Sequence, residues 1–169
     1  MRKQYKIIGI EKIKLSHLYN GYKKDYEKYY EAYFGKEGNP LSWKNVPIAA
    51  FAFEYCKIGD SILDKLDDTS FIKYEYDKYS YDAKVKDDTH KWNAANRLIK
   101  LIKSIKKYGY GKGKFSNPKY LVNVIKGASS PFGNDLCGYT LLSRKHRAAA
   151  CFGLGINTIK AKVHVEKIK

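Results

Sequence analysis

Apolar positions along the chain follow two rhythms, and the stretches where each one holds predict the elements. In Lys91–Tyr108, Ala95, Leu98, Ile99, Ile102 and Ile105 recur at three- and four-residue spacing, with Arg97, Lys100, Ser104 and Lys107 on the other side. That is one buried face of an α-helix. Tyr22, Tyr26, Tyr29, Tyr30, Tyr33 and Phe34 repeat at the same spacing between Lys, Asp and Glu, which predicts a second amphipathic helix with its aromatic stripe facing the body of the protein. Lys6–Lys14 alternates loosely and reads as an opening or edge strand, after which Ser16 is placed to cap a helix. Tyr120–Lys126 is strongly β-prone, and Phe71–Tyr81 alternates aromatic and charged residues as a hairpin strand does.

Breakers divide these runs. The GKEGNP segment at 35–40 is a break, Pro47 opens an apolar helix that Gly59 ends, and Asp60–Asp68 suits a short helix. Gly109, Gly111 and Gly113 lack both the preceding strand and the following Gly-Lys-Ser/Thr of a phosphate loop, so they read as a turn that Asn117 and Pro118 end. A polar loop spans 127–138.

The densest chemical signal lies in Gly138–Val163, GYTLLSRKHRAAACFGLGINTIKAKV. Tyr139–Leu142 predicts a strand and Ser143 an N-cap. An alanine-rich helix follows, stopped by Gly153 or Gly155, and Ile156–Val163 predicts a second strand. Arg144, Lys145, His146 and Arg147 all fall in the first helical turn. Cations there oppose the macrodipole at about 0.3 to 1 kcal/mol each, whereas an anion on the same backbone N–H groups is favoured. A phosphate is the natural partner.

Charge sharpens this. The chain carries +16 overall, but residues 1–90 hold 16 Lys+Arg against 15 Asp+Glu and residues 91–169 hold 17 against 2. The surplus therefore sits in the half that contains the cationic turn, the footprint of a DNA or other polyanion binder. Asp135 and Glu166 are the only carboxylates after residue 90, so candidate acid–base groups are Asp135, His146, or Glu11 from the first half. His164 reads as structural. Cys56, Cys137 and Cys151 form no C-x-x-C pair and suggest neither a disulfide framework nor a metal site. No apolar run approaches the roughly 20 residues of a membrane span, and the start MRKQYKIIGI lacks signal-peptide features, which predicts a cytoplasmic protein without a membrane partner.

LIKSIKKYGY, YLVNVIKG and SRKHRAAACFGLG, in that order and spacing, resemble the core of the ParB/sulfiredoxin-like superfamily, and GIEKIKLSHL resembles its opening strand. The resemblance implies an α/β (α+β) fold: one domain with a small mixed sheet flanked by helices, core 1–19 and 91–169, and a helical, tyrosine-rich insertion at about 20–90. His146 and Arg147 match the family's His-Arg pair, and Ala149 and Ala150 its small residues. Arg144 stands where relatives often have glycine, and Lys145 where sulfiredoxins have their reactive cysteine, so sulfinic-acid reduction is not expected.

On this resemblance a nucleoside triphosphate, ATP or CTP, with Mg²⁺, would bind Ser143, Arg144, Lys145, His146 and Arg147 and face Arg97, Lys100 and Ser104 of the preceding helix. The expected function is that of a ParB-like stand-alone domain, of the kind phages encode, acting on or near DNA with NTP hydrolysis or nuclease activity. The segment lacks the helix-turn-helix and dimerisation domains of a full partition protein, so chromosome segregation is not expected. Two other readings stand beside it: a non-enzymatic nucleic-acid-binding or protein-interaction module, and a small-molecule kinase. The sequence leaves the oligomeric state open.

Overall fold

The structure, a computed structural model, describes residues 4–20, 46–76, 88–113, 116–127 and 138–166. Five strands make one mixed sheet: β1 (Tyr5–Lys14), β2 (Leu18–Asn20), β3 (Val122–Lys126), β4 (Tyr139–Ser143) and β5 (Thr158–Glu166), in the order β1-β5-β3-β4-β2. β5 pairs antiparallel with β1 and parallel with β3, while β4 runs antiparallel to β3 and parallel to β2. Among the described residues, three α-helices, α1 (Pro47–Ile58), α2 (Asp88–Tyr108) and α3 (Lys145–Gly153), accompany the sheet, so the fold is mixed α and β as the periodicities predict.

Register explains why one face of the sheet is buried. Val122 lies opposite Ala161, and Val124 opposite both Val163 and Leu141, so these side chains share a face. They join Ile48, Phe51 and Ala52 of α1, the predicted Ala95, Leu98, Ile99, Ile102 and Ile105 of α2, and Ala148–Cys151 of α3 in a single core. Burying a residue of Leu or Ile size contributes about 1.5 to 3 kcal/mol, so Leu98, Ile99, Ile102 and Ile105 are enough to fix α2 in the core, where it packs against α3.

Helix ends follow the breakers. Pro47 occupies the first turn of α1, and Gly59 ends it at φ 65. Gly109, at φ 78, closes α2 by donating its N–H to the Ile105 carbonyl at 2.8 Å. Gly155, at φ 70, turns the chain out of α3, where a side chain would be strained. Gly153 stays inside the helix for another reason: a Cβ there would sit 2.5 Å from the Ala52 carbonyl oxygen, so α1 and α3 touch backbone to backbone.

Two expectations are corrected. Ser16 caps no helix; Leu15–His17 is a single 3₁₀ turn that feeds directly into β2, because Leu15 and Leu18 are both drawn into the core. Phe71–Tyr81 is not a hairpin strand where it is described: Phe71–Tyr76 is a π-helical turn. Phe71 and Ile72 are buried in succession, which alternation forbids, and Phe71 packs on Phe51 with ring centroids 5.2 Å apart. The short helix expected at Asp60–Asp68 is present as a 3₁₀ segment, Gly59–Asp68, interrupted by non-helical geometry at Lys65. The tyrosine-rich helix expected at 22–34, the break at 35–40, Cys137 and Asp135 lie outside the described residues. Among those described, no helix is long and apolar enough to cross a membrane.

Candidate phosphate-binding site

The turn from β4 into α3 is sharper than an N-cap serine predicts. Arg144 itself takes the cap position, at φ 70 and ψ 36, and is the one non-glycine with positive φ among the described residues. Its carbonyl accepts from the amides of Arg147 at 3.0 Å and Ala148 at 3.4 Å. Ser143 therefore does not cap the helix. As the last residue of β4 it faces Asn123 across the sheet, and its Oγ accepts from Asn123 Nδ2 at 2.6 Å. The Asn123 Oδ1 lies 3.3 Å from His164 Nε2, so His164 closes a Ser143–Asn123–His164 chain.

A left-handed arginine costs about 1 to 2 kcal/mol, which must be met by packing around it. The anchors are visible. Arg144 Nη2 donates to the Lys119 carbonyl at 3.3 Å, and Arg147 Nη1 donates to the Tyr120 carbonyl at 2.7 Å. The Arg147 guanidinium also lies over the Tyr120 ring, 5.1 Å from its centroid, and the Lys119 ammonium lies 4.9 Å from the same centroid. Two cations thus gather on one tyrosine, and Arg144 is tied to the residue beside it.

Lys145 begins α3 and is 92% buried, with a relative exposure of 8%, the one buried charged residue among those described. His146, next along the helix, is exposed. Desolvation first, then the charges of Lys145 and Arg97, hold its pKa below the ordinary histidine value. The Arg97 effect shows that the polar side of α2 reaches the start of α3. Burial, followed by the Arg144 charge, likewise lowers the pKa of Arg147.

Of the α2 face read from the sequence, Arg97 is the residue whose charge is felt at the turn. Lys100 and Ser104 lie about 4.5 and 10.5 Å further along the helix axis. Lys100 is exposed, whereas Ser104 is half-buried and its Oγ is covered and lacks a hydrogen-bond partner. Ser104 thus departs from the solvated face that its helical position predicts.

Glu11 is also apart. Its carboxylate accepts from the Tyr139 hydroxyl at 2.7 Å and from Lys126 at 3.2 Å, contacts that lower its pKa and raise that of Tyr139. Tyr139 opens β4 and Ser143 closes it, four residues or about 13 Å further on. Glu11 is therefore engaged at the opposite end of the strand from the turn. Among the described residues, no group of three or more His, Cys, Asp or Glu could hold a metal ion. A groove of about 330 Å³ lies elsewhere, lined by Leu63, Asp64, Asp67 and Trp92 among others, with Asp67 held by Lys91 at 2.9 Å.

Sequence reasoning missed Lys119, Tyr120 and Tyr110. Tyr110 accepts from the Val122 amide at 2.8 Å and donates to the Lys160 carbonyl at 3.1 Å, which pins the glycine turn to β3 and β5 and raises its pKa through burial. The available signal was an aromatic beside glycines, Tyr110 between Gly109 and Gly111. For Tyr120 no local pattern indicated a partner 27 residues away. Comparisons of the chain with protein-family models, curated proteins and solved structures give no match.

Proposed function

We propose that the chain binds nucleotide phosphates at the start of α3 and acts on or near nucleic acid, as a ParB/sulfiredoxin-like protein. The observation that carries the reading is the turn itself: Arg144 strained at φ 70, followed by Lys145, His146 and Arg147 in the first turn of the helix, with Arg97 brought up from α2. Five basic groups around one helix start raise a positive potential that a bound anion relieves. The family resemblance supports the same reading, since glycine, frequent in relatives at the Arg144 position, adopts this left-handed geometry without strain.

A triphosphate would be held by the amides of Lys145 and His146 and by the Arg97, Arg144 and Arg147 side chains. ATP or CTP would supply the phosphates, and Mg²⁺ would supply charge neutralisation in any hydrolytic or nuclease step.

A second reading, binding of a nucleic-acid backbone without chemistry, is favoured by the position of Glu11, engaged by Tyr139 and Lys126 at the other end of β4. Calorimetric titration with ATP, CTP and GTP, with and without Mg²⁺, and with DNA oligonucleotides tests both. A nucleotide that binds and is weakened by Arg144→Ala supports the first reading, DNA binding alone supports the second, and no binding of either overturns both.

A further inference from the structure

The sheet has a second face, turned away from the helices, and its β1–β5 half is built of lysine. Glu11 pairs with Ala161 and Ile13 with Ile159 on the core side, so the alternate pairs, Lys12 with Lys160 and Ile10 with Lys162, project from the other side. Lys12, Lys14 and Lys160 are exposed, Lys162 is half-buried, and Ile10 beside them is half-exposed. Like charges directly opposite in an antiparallel pair are destabilising. Here Lys12 faces Lys160, and a further lysine follows on each strand about 6.8 Å along, at Lys14 and Lys162.

Nothing described relieves this row. Among the described residues no carboxylate lies within ion-pair distance of the four lysines. Glu11 belongs to the opposite face, and Glu166 is six residues beyond Lys160, about 20 Å along β5. The glycine turn packs on the row, with Gly111 against the Lys160 stem. Lysine is a flexible point charge suited to phosphates rather than to bidentate reading of bases.

We propose that this open face is a nucleic-acid-binding surface, gripping the sugar–phosphate backbone through Lys12, Lys14, Lys160 and Lys162 without sequence selectivity. The ligand class rests on the nucleic-acid part of the proposed function. The site itself rests on the strand register.

The test compares the full-length wild type with the triple variant Lys12→Gln/Lys160→Gln/Lys162→Gln and a control triple, Lys57→Gln/Lys65→Gln/Lys106→Gln, which removes equal charge from exposed positions outside the sheet. Binding of a fluorescent 20-base-pair DNA is measured by anisotropy between 50 and 200 mM salt, with circular dichroism to verify folding. Three lost phosphate contacts should reduce the salt slope by about 2.7, so that affinity falls about fortyfold less across that range than in the wild type. The control triple should keep the wild-type slope, and mononucleotide affinity should be unchanged in both variants.

Equal slopes for the wild type and the sheet-face triple, or equal losses in the two triples, overturn the surface. Loss of binding to phosphatidylserine vesicles but not to DNA overturns it in favour of a membrane. A wild type that fails to bind DNA at 50 mM salt rejects the nucleic-acid reading and the surface with it, whereas DNA binding with an unchanged salt slope in the sheet-face triple rejects the surface alone.

Discussion

Arg147 donates to the Tyr120 carbonyl at 2.7 Å while its guanidinium lies 5.1 Å from the centroid of the same tyrosine. One edge of the fork is thereby fixed, and the remaining donors are oriented before any ligand arrives. Lysine offers neither the planar stack nor the fixed fork. Arg147→Lys should therefore lose nucleotide affinity by about tenfold or more, as expected for a charge-assisted bond of about 1.5 to 3 kcal/mol. Titration of the variant at constant salt checks this. Wild-type affinity in Arg147→Lys would show that only its charge matters.

Arg144 offers a trade between stability and binding. Arg144→Gly should raise unfolding free energy by about 1 kcal/mol by releasing the left-handed strain, and should weaken anion binding by removing a cation. Arg144→Ala removes the same cation but keeps the strain. Urea melts of both variants separate the effects: glycine should be the more stable of the two, and the phosphate affinities should fall together.

His146 predicts a pH dependence. Its folded pKa is depressed by desolvation and by Lys145 and Arg97. The unfolded chain takes up the proton more readily, so this residue's contribution to stability is present above the ordinary histidine value near 6.5 and is lost as pH falls through the window below it. A bound nucleotide phosphate favours the charged ring, so nucleotide affinity should rise several-fold between pH 7.5 and 5.5. In His146→Gln that rise should shrink, as anisotropy titrations at the two pH values would reveal.

Gly153 marks the limit of what the sequence discloses. Read locally, it is a helix stop; in the fold it is the point where α3 meets the Ala52 carbonyl of α1. Gly153→Ala improves helix propensity yet should cost about 1 to 3 kcal/mol through overpacking, measurable as a lower denaturant midpoint. The same long-range contact explains why residues 46–76, an elaboration when read along the chain, contribute Ile48, Phe51, Ile62 and Phe71 to the one core. Periodicity found α2 and the strand-turn-helix because their burial is set by local spacing. It misread Phe71–Tyr76, where packing on Phe51 overrides alternation. The cationic turn was legible as charge at a helix start; its left-handed cap and its tyrosine anchor were not, since both depend on residues brought in by β3.

Glu11 separates structure from site. Held by Tyr139 and Lys126 with its side chain 32% exposed, it should stabilise the fold by about 0.5 to 1 kcal/mol after solvent screening. Its lowered pKa makes that contribution present above the ordinary carboxylate value and lost as pH falls through the folded value. Glu11→Gln should lower stability at pH 7 by this amount and leave nucleotide affinity unchanged.

The central claim is that an anion sits on the first turn of α3. Backbone amide shifts recorded by ¹H–¹⁵N correlation during titration with CTP or ATP read those N–H groups directly. The account predicts that the largest changes fall on the amides of Lys145 and His146, with the Arg97 and Arg147 guanidinium signals following at the same ligand concentration. Saturable binding that leaves those two amides unmoved would contradict it.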